Sequence, residues 1–251
     1  MKKTELSGLT QKTLEITQNT QTLVFRNVSP NAKIKVVVDK EGRDILTPVP
    51  TMDLGKLLEG HDKMNSLISK RTVVRHLKNV AADGFNKIDV LVDVELHFCL
   101  DGEYPIGEND KITVYLTELG KVNADSFVKE FVGAKQSEAL INYGKVVFLK
   151  NHDEKKLDIL GVSALLFDPA NVPESIDLYY ETETVSLSAE DLEQQNLNKF
   201  GLMRMVTDEN GVSVPHFGFA ECLFLSLTGV RKCVLKDETG VSDIVVYTIK
   251  S

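Results

Sequence analysis

The sequence predicts an all-β protein: two tandem antiparallel sandwiches, each with a flanking helix, joined by a short helical connector. Three observations predict it. Apolar and polar residues alternate strictly through several stretches, turn signals separate the short strands, and the same order of elements occurs twice. At 251 residues the chain is long enough for two domains of ordinary size.

The elements follow from the residues in order. A strand is expected over 21–26, and "KIKVVVDKEG" gives another. Ile34, Val36 and Val38 face inward, Lys33, Lys35 and Asp39 face outward, and a Lys-Glu-Gly turn closes it. Leu54, Leu57, Leu58, His61, Leu67 and Ile68 then space a helical apolar stripe through 53–69, weakened by Gly55 and Gly60. In "IDVLVDVELHF" the residues Ile88, Val90, Val92, Val94, Leu96 and Phe98 share one face, opposite Asp89, Asp93, Glu95 and His97, so a long half-buried strand is expected. A strand over 111–117 completes the first set. "NADSFVKEFVGAKQSEALI" (123–141) is read as a helix capped by Asn123 or Asp125, with Phe127, Phe131 and Ala134 on one side. Strands are expected again over 145–150, 157–167 and 175–181. The helix "SAEDLEQQNL" follows, opened by Ser188 and Asp191 at capping-box spacing, and strands over 217–227, 231–236 and 243–249 close the chain.

Two of these strings align without a gap. "VFRNVSPNAKIKVVV" and "LFDPANVPESIDLYY" match Phe25 with Phe167, Ile34 with Ile176, Val36 with Leu178 and Val38 with Tyr180. A helix start follows each (Asp53-Leu54, Asp191-Leu192), and then a long strand carrying Glu95-Leu96-His97-Phe98 or Glu221-Cys222-Leu223-Phe224. Each copy then closes on an Ile-x-Val-Tyr strand, Ile112 to Tyr115 and Ile244 to Tyr247. This is an internal duplication. It predicts domains at 10–119 and 143–251 with a connector helix over 120–142.

Composition narrows the function. A formal charge of −8 argues against wrapping nucleic acid, so no specific nucleic-acid binding is expected. No apolar run reaches the ~18 residues that span a bilayer, and no signal-peptide pattern follows "MKKTELSG". Cys99, Cys222 and Cys233 lack metal or disulfide spacing and are read as buried thiols. Phosphate-loop, nucleophile-elbow and zinc-helix signatures are missing, and His61, His76, His97, His152 and His216 are scattered, so no catalytic residue, metal or cofactor is expected. "HDEKK" (152–156) suits a hairpin tip better than an oxygen-ligand cluster. The one basic cluster is "SKRTVVRHLKN" (69–79). Its Lys70, Arg71, Arg75 and Lys78 form either a solvated face or a contact for an acidic partner or membrane phosphates.

A duplicated β unit with a helix between its middle strands resembles the double jelly-roll major capsid proteins of tailless, internal-membrane-containing icosahedral bacteriophages, of the corticovirus and Finnlakeviridae type. "KIKVVVDKEGRDILTPVPTMDLGKLLEG" and its echo "SIDLYYETETVSLSAEDLEQQN" carry the resemblance, which spans residues 20–250 or so. It implies a non-enzymatic coat protein made in the host cytoplasm and resident in the virion. Its trimers would present six similar barrels and meet neighbouring capsomers, minor capsid or penton proteins, and an underlying membrane. The chain lacks long insertions; only 99–110 and 205–217 read as exposed loops. The other class is a two-domain receptor- or carbohydrate-binding sandwich (spike, penton or adhesin). The absence of Trp, with Tyr104 the one Tyr expected in an outer loop, counts against sugar binding.

Overall fold

The computed structural model describes residues 2–29, 31–41, 44–57, 60, 75–82, 85–98, 103–119, 126–131, 142–150, 152–200, 203–207, 213–217, 222–238, 240 and 242–250; within these, the side chains of 44–45, 75–95, 97, 200, 203–207 and 213–217 are not described. The chain divides into two compact units, Met1–Asn142 with Arg204–His216, and Tyr143–Met203 with Phe217–Ser251.

The N-terminal unit contains β1 (Lys3–Glu5), β2 (Lys12–Ile16), β3 (Thr22–Val28), β4 (Lys33–Lys40), β5 (Asp44–Asp53), β6 (Arg75–Ala82), β7 (Phe85–His97), β8 (Lys111–Thr117) and β9 (Phe127–Phe131). They form two antiparallel sheets, β1-β9-β3-β7-β6 and β2-β8-β4-β5. The alternation in β4 is realised: Ile34, Val36 and Val38 are buried while Lys33, Lys35, Val37 and Asp39 are half-exposed. Between Phe25 and Val28 the β3–β7 register shifts, and Asn27 takes a φ of 53° there. An Asn tolerates that left-handed conformation, and such a bulge bends the strand. The Ser126 hydroxyl donates to the Asn27 carbonyl at 2.6 Å and ties the bulge down.

The C-terminal unit contains β10 (Asn142–Phe148), β11 (Glu154–Leu157), β12 (Val162–Phe167), β13 (Ser175–Tyr179), β14 (Thr184–Ser188), the helix α1 (Ala189–Phe200), β17 (Leu223–Ser226), β18 (Lys232–Lys236) and β19 (Ile244–Lys250). Between α1 and β17 the chain makes the two-stranded ribbon β15 (Met203–Thr207) and β16 (Ser213–Phe217). The unit's two sheets are β10-β19-β12-β17 and β11-β18-β13-β14. Phe148, Leu165, Phe167, Ile176, Leu223, Leu235 and Val246 fill the space between them.

Among the described residues, setting aside β6 and the β15–β16 ribbon leaves eight strands in each unit. In both units the first, eighth, third and sixth strands form one sheet, and the second, seventh, fourth and fifth form the other. Two four-stranded sheets connected in this order make a jelly roll, so the all-β double jelly roll is the fold. Phe25 and Phe167 occupy equivalent third strands: Phe25 lies opposite Val94 and Val128, and Phe167 lies opposite Leu223 and Val246. Ile34 and Ile176 are likewise equivalent, facing Leu116 and Met52 in one unit and Leu235 and Leu187 in the other.

Several expectations need correction. The Ile112–Tyr115 strand does not end the first copy. β8 is a seventh strand, paired with β2 and β4, and its counterpart is β18. The true counterpart of β19 is β9, inside the segment read as a connector helix over 120–142. Phe127–Phe131 alternates with period two, Val128 and Glu130 inward, and its pairing with both β1 and β3 outweighs the helical spacing of the longer window. The N-terminal unit therefore runs past 119, and it begins before residue 10 with β1; residues 120–125 and 132–141 lie outside the described residues. The match of Glu95–Phe98 with Glu221–Phe224 slips by three residues, because Leu96 faces Leu23 where Leu225 faces Leu165.

The strand expected over 157–167 is two strands. Gly161 has a φ of 69°, a conformation that costs glycine nothing, and the Leu160 amide donates to the Asp158 carboxylate at 3.2 Å. The apolar run hid this turn, whose Leu160 stands 86% exposed. Of the strand expected over 217–227, Phe217 ends β16 and Leu223–Ser226 forms β17, while residues 218–221 lie outside the described residues. In the 205–217 stretch, residues 205–207 belong to β15 and 213–217 form β16, its partner in a two-stranded sheet, rather than a plain loop; residues 208–212 lie outside the described residues.

Candidate assembly surfaces

The flanking helix is set by local chemistry. Ser188 accepts from the Asp191 amide at 3.1 Å, while the Asp191 carboxylate accepts from the Ser188 amide at 2.9 Å and hydroxyl at 2.7 Å. This reciprocal box satisfies amides that the first helical turn leaves without partners. The amide bond holds the Asp191 carboxyl below its ordinary range, and the hydroxyl bond adds to this. Leu192 is buried at the start of α1, and one turn later the same stripe carries a polar residue, Asn196, 1% exposed. Its amide nitrogen donates to the carbonyls of Leu192 and Phe224, both at 2.9 Å, and its oxygen accepts from the Phe224 amide at 2.9 Å. Strand β17 ends its sheet, and Asn196 supplies its outer edge with the donor and acceptor that a further strand would provide. Sequence reasoning missed Asn196; the signal was a polar residue four positions after Leu192 on a buried face. In the N-terminal unit, residues 54–57 are helical after β5, and Leu54 and Leu57 are buried. The residues expected to extend that helix, 58–59 and 61–69, lie outside the described residues.

The outer faces of the two equivalent first sheets differ. In the C-terminal unit Ala164, Leu166, Phe224, Tyr247 and Ile249 alternate with the core residues and are all buried, at 0, 0, 4, 8 and 2% exposed. Tyr143 is buried beside them, and its hydroxyl is pushed far above its ordinary value, first by burial and then by the Cys222 thiol. Cys222 and Cys233 are buried free thiols, and burial, with Asp177 nearby, pushes Cys233 up to about 12; Cys99 lies outside the described residues. In the N-terminal unit the corresponding face carries Lys129 opposite Val24 and Phe131 opposite Thr22, and Phe127, Lys129 and Phe131 are only half-buried.

The basic cluster is only partly placed. Lys70 and Arg71 lie outside the described residues. Arg75 and Lys78 stand in β6, opposite Val92 and Asp89, at the margin of the N-terminal sheet, and their side chains are not described. Of the strand expected to bury Val90, Val92, Val94, Leu96 and Phe98, Leu96 and Phe98 are 2% exposed; the side chains of the others are not described. Tyr104, expected in an exposed loop, is 3% exposed. Its backbone pairs with Thr20, and the Lys40 ammonium lies 5.4 Å from its ring. The bridge to Thr20, 84 residues away in sequence, is a long-range contact that loop composition does not announce. Among the described residues no three His, Cys, Asp or Glu side chains converge as metal ligands, and no helix is long and apolar enough to cross a membrane.

No family model matches the chain, and no curated protein matches it. Among solved structures it is similar to the major capsid protein P2 from bacteriophage PM2: 12% identity, TM-score 0.52, covering 98% of this chain and 92% of that one. The PBSX exported protein XepA aligns over 100% of this chain and 85% of its own at 10% identity, but its TM-score of 0.24 is too low to carry an argument. In fold, therefore, the chain is a double jelly roll similar over nearly its whole length to the PM2 major capsid protein.

Proposed function

We propose that the chain is a major capsid protein, resident in the virion, whose homotrimers tile an icosahedral shell of the internal-membrane bacteriophage type. The observation that carries this is the pairing of two jelly rolls of one topology in a single chain, aligned end to end with a phage major capsid protein. Three copies of two similar barrels give a near-sixfold outline that packs a closed shell, so the protein's work is done by surfaces between copies rather than by a reaction. Neighbouring capsomers, minor capsid or penton proteins and an underlying membrane are the partners this role requires. A sugar-binding role has less support, since Tyr104, the aromatic expected to serve it, is buried.

Light scattering on the purified chain tests the reading. We expect a species of about three times 27.9 kDa at micromolar concentration, with pseudo-hexagonal outlines in negative stain. A specific trimer interface should bury well over ~1,000 Å². A mass of 27.9 kDa persisting at every salt and protein concentration would remove the coat-protein reading.

A further inference from the structure

The two sheets of the C-terminal unit part along one seam. Strand β14 ends one sheet and β17 ends the other. Helix α1 packs against both, and Asn196 ties it to β17. Beside that tie the seam is open. A cavity of about 240 Å³ lies there, walled by the apolar side chains of Leu178, Val185, Leu187 and Leu225 with Tyr180 beside them. Close-packed interiors hold few voids of that size. The N-terminal unit closes the same place. Val49 lies opposite Val36 as Val185 lies opposite Leu178, and Val38 aligns with Tyr180. Val49 and Val38 are 2 and 1% exposed, whereas Val185 and Tyr180 are only half-buried. Matching positions thus complete a core in one unit and border a cavity in the other.

The lining selects an occupant. Four aliphatic side chains offer water no hydrogen bonds, so an apolar chain fills that part better. The polar lining is Gln195, Lys199, Ser226 and Thr228. Gln195, Lys199 and Thr228 are exposed and Ser226 is half-buried, so these groups stand at the mouth. The Ser226 and Thr228 hydroxyls are 3.0 Å apart. Asn196 also borders the cavity, but its amide is committed to Leu192 and Phe224. Among the described lining residues Lys199 is the one with a formal charge, so the favoured head group is an anion. We propose that this cavity binds a medium-chain carboxylic acid. Its alkyl chain lies on Leu178, Val185, Leu187 and Leu225, and its carboxylate meets Lys199 and the two hydroxyls at the mouth. A cavity of about 150 Å³ admits benzene, so this larger one suits a single chain of about eight carbons and is too small for a two-chain lipid. The inference goes beyond the coat-protein reading and does not depend on it.

Calorimetry on the full chain tests this with two probes of opposite charge, octanoate and octylammonium, and two variants, Val185→Trp and Lys199→Gln. We expect one saturable octanoate site per chain and a melting temperature that rises with octanoate concentration. Octylammonium should bind about tenfold more weakly, since one cation attracts the first head group and repels the second. Lys199→Gln should narrow that difference. Val185→Trp fills the cavity from a half-buried position on the edge strand β14 and should abolish saturable binding. Lys199 is exposed on α1, so its variant decides the matter even where the Trp variant fails to fold. A wild type that takes up no octanoate saturably would overturn the proposal. So would equal affinity for the two probes, or octanoate binding unchanged in both folded variants.

Discussion

The two jelly rolls share eight strands, one connectivity and equivalent core positions, yet the outer margin of the sixth strand is treated differently in each. In the N-terminal unit, β7 is 13 residues long and β6 pairs along it from Arg75 to Ala82. In the C-terminal unit, β17 has 4 residues and, among the described residues, no further strand beside it, and Asn196 of α1 takes the Phe224 amide and carbonyl instead. The difference teaches that the fold fixes an obligation rather than a residue. Backbone donors and acceptors at that margin need partners, and a strand or a single buried amide side chain meets the need. The short solution also brings the helix against the sheet, which pairing with β6 does not require.

The largest expected effect tests whether the shared core positions are energetically equivalent. Phe25→Ala and Phe167→Ala each remove a buried ring, 0 and 1% exposed, from the third strand of its unit. Each should cost about 3–5 kcal/mol by loss of burial plus cavity. Hydrogen exchange resolved by segment should show each variant loosening its own unit; a loss spread evenly over both would break the picture of two separate cores.

Next comes the margin itself. Asn196→Ala removes the side-chain partner of two buried backbone groups of Phe224, and at ~1–3 kcal/mol for each unsatisfied group the cost should be about 2–6 kcal/mol. Urea denaturation gives the loss, and exchange of the Phe224 amide should accelerate while the β6–β7 amides stay protected. Unchanged Phe224 protection would show that Asn196 does not serve as the missing strand.

A smaller effect is expected where two neighbouring strands approach. A Cβ at Gly144 would strike the Thr248 hydroxyl, a side chain that is 4% exposed. Gly144→Ala should cost about 1–3 kcal/mol by overpacking. Adding Thr248→Ala should recover most of it, since the double variant removes the struck atom. The N-terminal unit carries the buried Glu130 at the position of Thr248, so the rescue is specific to the C-terminal unit.

The smallest effect is a difference in acid sensitivity. Asp177 in β13 is held below the ordinary carboxylate range by hydrogen bonds from Lys236, at 2.6 Å, and from Ser186. A depressed carboxyl contributes stability that is present above the unfolded value, near ~3.9, and is lost as pH falls through the folded value. Asp177→Asn should therefore lower the urea midpoint at pH 7, and the gap to wild type should close as pH drops below ~3.9. The equivalent N-terminal position is Lys35, which has no such carboxyl, so the acid-dependent loosening should appear in the C-terminal unit. A gap that stays constant with pH would show the pair contributes nothing through charge.

Much of this was legible in the residues. The alternation in "KIKVVVDK", the exact span Lys111–Thr117, the Ser188–Asp191 cap and the equivalence of Phe25 with Phe167 all rest on contacts within a few residues or on a shared pattern read at one offset. "FVKEF" was misread because its five-residue period-two signal sits inside a window that also fits a helix, and only pairing with β1 and β3 decides between them. The three-residue slip in aligning Leu96 has another cause: it is an odd shift, which swaps faces, and the shared Glu-x-x-Phe spacing of Glu95–Phe98 and Glu221–Phe224 outweighed the alternation that argued against it. Phe127 and Phe131 were seen, but as one side of a helix.

Residues close along the chain dictate that this is a β protein made twice, with its core faces and its second helix cap, because side-chain period and capping are properties of neighbours in sequence. The tertiary structure alone decided where the first copy ends, which strand Asn196 completes and which sheet face holds two half-buried rings. Those outcomes depend on partners a hundred residues apart, such as Phe25 and Val128, and the hydrogen bonds and burial that choose such partners exist only once the sheets have closed.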